Sequence, residues 1–213
     1  MKGLLIKDFC LLRNQKRILP IYLLLAVWFT AFHNDGFAFP FLMMMASILT
    51  GSTISYDEID HSQAYLFVLP VDRKTYVQEK FVLGGILAAA SLLLAILCSI
   101  ARMLVDPGST GTELGSMIVL SMCIGAVFIA VMIPIRIRFG GDQGRIVLYT
   151  AFALIALVVV LISRVFPASR NQMTEALSQM GMTTILSAAA AGSCVLLITG
   201  YVLGIHWVEK KEF

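Results

Sequence analysis

Ser55–Lys80, SYDEIDHSQAYLFVLPVDRKTYVQEK, is the longest run of this chain that cannot sit in a lipid bilayer. It holds Asp57, Glu58, Asp60, Asp72, Arg73, Lys74, Glu79 and Lys80, and long apolar runs lie on both sides of it. Ionised side chains at the centre of a bilayer are expensive and rare. A polar segment of this length between two membrane spans is therefore water-facing. It reads as a docking surface for a soluble partner, with the rest of the chain holding it at the membrane.

Composition agrees with that reading. Apolar residues make up 59% of the 213 positions and charged residues 14%, against about half and about a quarter in soluble domains. A mean hydropathy of +0.87 over the whole chain describes an integral membrane protein rather than a soluble one with a single anchor. The beginning does not read as a cleaved signal peptide, because Lys7, Asp8 and Arg13 interrupt its apolar residues. A net charge of +3 is too small to suggest nucleic-acid binding. Cys10, Cys98, Cys123 and Cys194 show no C-x-x-C spacing, and they read as buried thiols acting as small hydrophobes.

Working outward, the predicted fold is all-α and integral to the membrane, one transmembrane domain over residues 1–213. A spanning helix needs about 20 residues for a core of roughly 30 Å. Six apolar runs are candidates: about 18–32, 37–54, 81–103, 114–135, 146–162 and 183–208. Before them, Met1–Arg17 carries Met1, Leu4, Leu5, Phe9 and Leu12 at helical spacing beside five cations. This predicts an amphipathic helix in the headgroup layer. Asp8 breaks the pattern by projecting toward the apolar side. After the fifth span, Met173, Leu177 and Met180 predict a short external helix within 163–181, with Gly181 as its stop.

Cations set the orientation. If both ends share one side, that side holds Lys2, Lys7, Arg13, Lys16, Arg17, Arg73, Lys74, Lys80, Arg136, Arg138, Arg145, Lys210 and Lys211, against Arg102, Arg164 and Arg170 opposite. The cation-rich side is cytoplasmic, so both termini are expected there.

Several constellations resemble chemistry and lack its essentials. Asp57, Asp60 and His61 share a helical face, but no second His or Cys stands nearby, so a solvated helix start is the better reading than a metal site. Arg136–Arg145, RIRFGGDQGR, is glycine-rich without the Lys-Ser/Thr of a phosphate loop. It reads as a sharp turn whose arginines face anionic headgroups. His33, His61 and His206 lie at or outside span ends, and no carboxylate falls mid-span. That disfavours an intramembrane protease or a proton-coupled carrier. No cofactor is expected on this chain. Ser47, Thr50 and Thr53 are candidates to line a path, or equally to bond helix to helix. Gly200-x-x-x-Gly204 predicts close helix packing, within or between subunits. Asp72 is a good N-cap for a helix running into the third span, and Lys80 is placed to snorkel at its boundary.

In order and spacing, three stretches resemble the permease subunits of ABC-2 type ABC transporters: MKGLLIKDF…LLRNQKR, YDEIDHSQAYLFVLPVDRKTYVQEK and IPIRIRFGGDQGR. The narrower likeness is to small bacterial permeases of the phenol-soluble modulin exporter kind. The resemblance implies that Met1–Arg17 is a connecting elbow helix. It implies that Asp57–Pro70 is a cytoplasmic coupling helix on a separate ATPase subunit, with Asp57, Glu58, Asp60, His61, Gln63, Tyr65, Leu66 and Pro70 as contacts. ATP and Mg would be bound by that subunit, which makes this chain no enzyme itself. Two copies of the chain would form the pathway of an exporter in the bacterial cell membrane. Apolar spans and short outer loops suit an amphipathic peptide or lipid-like cargo, in contact with membrane lipid. The competing reading is a six-span sensor or assembly scaffold that transports nothing.

Overall fold

The computed structural model describes residues 2–14, 18–32, 35–59, 72–105, 114–165 and 181–210. Among them every regular element is an α-helix: α1 Lys2–Asn14, α2 Ile18–Phe32, α3 Asp35–Ile59, α4 Arg73–Val105, α5 Leu114–Phe139, α6 Gly141–Val165 and α7 Met182–Lys210. The short external helix expected within 163–181 falls largely outside the described residues.

Helix boundaries follow local chemistry. The carbonyl of Asp72 accepts the Tyr76 N–H at 3.3 Å, the first bond of α4, as an N-cap residue should. α5 runs through Pro134 and on to Phe139, so Arg136 and Arg138 are helical rather than part of a long turn. The helix stops at Gly140, whose φ of 78° is the left-handed conformation that glycine adopts without strain. Its N–H bonds to the Arg136 carbonyl at 3.0 Å, and its own carbonyl accepts the Gly144 N–H of α6 at 3.0 Å. The turn between α5 and α6 is thus sharp, as expected, and one residue long.

α5 is the central helix, packed against α3, α4, α6 and α7. One core cluster joins Ile54, Val77, Ile129, Ile133, Ile137 and Val208. A second joins Ala26, Phe39, Leu42 and Ala95. Glycine allows the closest approach. A Cβ on Gly200 would lie 2.4 Å from the Ala130 carbonyl oxygen of α5, and one on Gly204 would lie 3.2 Å from Val77 of α4. The Gly200-x-x-x-Gly204 face therefore serves packing within the chain.

Among the described residues four stretches are long and apolar enough to cross a membrane: Ala38–Asp57, Arg73–Ala101, Gly115–Phe139 and Met182–Lys210. α2 contributes a shorter apolar helix, Pro20–Phe29. Much of the outer surface is apolar, as on Leu24 of α2, Leu154 of α6 and Ile198 of α7. That is the pattern of helices solvated by lipid rather than water. Cys123 is buried, whereas Cys10 and Cys194 are exposed. The expectation of buried thiols fails at those two, because both sit on outward helix faces.

Candidate functional site

The polar residues of α1, α3 and α4 converge at one end of the bundle. α1 supplies Lys7 and Asp8, α3 supplies Thr53 and Asp57, and α4 supplies Tyr76, Glu79 and Lys80. Asp8, Glu79 and Lys80 are fully buried, and Asp57 is nearly so. Lys80 is the hub. Its Nζ pairs with Asp8, lies 2.9 Å from Asp57 Oδ2 and 3.8 Å from Glu79 Oε2, and donates to Thr53 Oγ1 at 3.3 Å. Lys7 pairs with the other Asp57 oxygen and sits 3.4 Å from Asp8 Oδ1. The Tyr76 hydroxyl donates to Asp57 Oδ2 at 3.2 Å. Its ring lies under the Lys80 ammonium at 5.3 Å.

Helical spacing explains the convergence. Thr53 and Asp57 are four residues apart, and so are Tyr76 and Lys80, so each pair shares one face of its helix. Asp8 follows Leu4 on the inward face of α1, while Ile6 and Phe9 face outward. The break that Asp8 makes in the apolar stripe is thus its contact with Lys80. Two corrections follow. Lys80 does not snorkel, because two aspartates hold its ammonium inside. The Asp57 carboxylate is engaged inward with Lys7, Lys80 and Tyr76, rather than presented at the surface.

Two further links gather the same end. The buried Arg136 of α5 donates to the Ser55 hydroxyl of α3, so Arg136 does not face headgroups as expected. Arg73 of α4 donates to the carbonyls of Val208 and Glu209 at 3.2 and 2.9 Å, satisfying the free end of α7. Gln78 of α4 also donates to the Tyr201 hydroxyl of α7 at 2.9 Å. α1, both flanks of residues 60–71, and the ends of α5 and α7 therefore lie together.

Of the expected contact residues, Asp60, His61, Gln63, Tyr65, Leu66 and Pro70 lie outside the described residues, as does the Glu58 side chain. Ser47, Thr50 and Thr53 are buried. Their hydroxyls donate to carbonyls of their own helix: Ser47 to Met43 at 3.0 Å, Thr50 to Ala46 at 3.0 Å, and Thr53 to Thr50 at 2.9 Å. None lines the apolar groove between α4 and α7. That groove, of about 690 Å³, runs between α4 and α7 over α5, from Phe81 and Tyr201 to Leu93 and Ile198, and its walls are apolar. The residues that sequence reasoning missed are Lys7, Asp8, Glu79 and Arg136. Asp8 alone gave a signal, as a carboxylate on an apolar stripe.

The family model for ABC-2 family transporter proteins matches residues 3–209. The chain belongs to the ABC-2 transporter family. Membership makes it a membrane permease of an ABC transporter and implies an ABC ATPase partner. No curated protein and no solved structure matches the chain. The match extends to the family and not to the narrower likeness with phenol-soluble modulin exporters.

Proposed function

We propose that this chain is the transmembrane subunit of an ATP-driven exporter, working as two copies above two ATPase subunits. The observation that supports this most is the buried ion cluster. It ties α1 to the two helices that flank residues 60–71, so a push on that segment moves three helices as one body. Broken pairs inside a protein are costly, which makes such a joint stiff. The reading includes six spans, with α2 and α6 completing the set, both termini in the cytoplasm and a bacterial cell membrane as the site. Glu58–Pro70 docks on the ATPase, where ATP and Mg are bound. ATP-driven closure of the ATPase subunits shifts the helices between two packings. The apolar groove beside α4 and α7 suits an amphipathic peptide or lipid-like cargo.

The test is co-expression with a candidate ABC ATPase subunit, purification in mild detergent and mass determination of the complex. Two copies of each subunit are expected. Tyr65→Asp and Leu66→Asp are expected to lose the ATPase while the purified chain keeps its unfolding temperature. A lone chain that recovers no ATPase, or variants with normal ATPase recovery and transport, would overturn the reading.

A further inference from the structure

A second polar site lies at the same end of the bundle, away from the ion cluster. It is a pocket of about 320 Å³ lined by Arg138 of α5 and by His206, Trp207 and Lys210 of α7. Among the described residues no acidic side chain lines it. Glu209, the acid next to Lys210, turns toward α4 and lies 3.5 Å from Lys74.

Arg138 is held in an unusual way. Its guanidinium carbon lies 5.1 Å from the Phe139 ring centroid and 4.8 Å from that of Trp207. Cation–π contacts use the face of the guanidinium. They leave its N–H edge, which matches the two oxygens of a phosphate. Among the described residues no acceptor takes that edge. Two of the last α7 carbonyls, Val208 and Glu209, which would repel an anion at a helix C-terminus, accept from Arg73 instead. The pocket thus joins the ring-stacked Arg138, the exposed Lys210 and an indole. It sits where two membrane-crossing helices, Gly115–Phe139 and Met182–Lys210, end. An indole at that depth suits the headgroup layer.

We infer that the Arg138–His206–Trp207–Lys210 pocket binds the phosphate of an anionic phospholipid headgroup. The lipid then bridges the ends of α5 and α7. The occupant is a lipid rather than a soluble anion because the pocket lies where both membrane-crossing helices end and includes the Trp207 indole. Basic pockets between helices at the cytoplasmic surface are a common form of such recognition.

The test uses the full chain in mild detergent with Trp28→Phe, which leaves Trp207 as the single indole of the two in the sequence. Phosphatidylglycerol or phosphatidylcholine with brominated chains is titrated in, and Trp207 quenching is read. Saturable quenching by phosphatidylglycerol is expected at a concentration lower by about tenfold, because the choline ammonium of phosphatidylcholine offsets the charge of the same phosphate and is repelled by Arg138 and Lys210. Arg138→Gln should abolish the preference, and Arg138→Lys should keep part of it, since a point charge cannot make the paired contact. Arg13→Gln, at an exposed cation on α1, should leave it unchanged. Equal quenching by both lipids would overturn the inference, and so would an unchanged preference in Arg138→Gln. Competition by inorganic phosphate alone, to the same extent as by lipid, would make this a soluble-anion site and overturn it as well.

Discussion

α4 and α7 meet twice, in opposite ways. At one end they are latched: Arg73 holds the last carbonyls of α7, and Gln78 holds Tyr201. One turn further along α4, the same two helices line an open apolar groove. The difference follows from the solvent. In lipid there is no hydrophobic drive between helices, so apolar faces associate through packing alone, and polar contacts fix where helices sit. The latched end is set by ion pairs and hydrogen bonds. The grooved region is free to close or widen at little cost. The proposed transport cycle uses both.

The comparison breaks first at Lys80. Lys80→Met leaves Asp8 without its buried counter-charge, and loss of one partner of a buried pair costs about 3–5 kcal/mol. A sharp fall in detergent unfolding temperature and in yield is expected. The double variant Asp8→Asn, Lys80→Met should recover much of it, because Asp57 still has Lys7 and Tyr76. An undisturbed single variant would mean that the cluster does not hold α1 to α4.

Gly200→Leu comes next. Its Cβ would meet the Ala130 backbone, which cannot yield as a side chain can, and overpacking of this kind costs about 1–3 kcal/mol. Gly204→Ala should cost less, since its neighbour is the Val77 side chain. Unfolding temperatures of the two variants check the order.

The smallest effects are at the rim. Arg73→Ala loses two bonds to helix-end carbonyls, and about 1 kcal/mol is expected. Lys74→Ala loses only an exposed pair with Glu209 and should lie within about 0.5 kcal/mol of the parent. Similar losses at both positions would show that the latch is general surface charge and not the cap on α7.

The all-helical, membrane-crossing class was legible because bilayer thickness imposes long apolar runs. Among the described residues four helices are long and apolar enough to cross. The helix start at Asp72 could be read from residue chemistry, whereas the end of α5 lies at Gly140 and not at Arg136, where the turn was expected to begin. Charge pairing could not be read. Lys80 at a span boundary is equally placed to snorkel or to turn inward, and only the approach of α1 decides it. Arg136 looked like a headgroup contact for the same reason, since its partner Ser55 is distant in sequence. Thr50 and Thr53 were legible as polar residues in a span, but whether they face a path or their own helix depends on packing that one sequence does not contain.

The most direct test is pulsed electron spin resonance on the chain assembled with its ATPase. One pair of spin labels goes at the exposed Ile6 on α1 and Val82 on α4, and a second at Leu93 and Ile198 across the groove. A latched end that moves as one body predicts that the first distance stays the same on adding ATP and trapping the closed ATPase, while the second shifts by several ångströms. A shift between Ile6 and Val82, with the groove pair fixed, would contradict it.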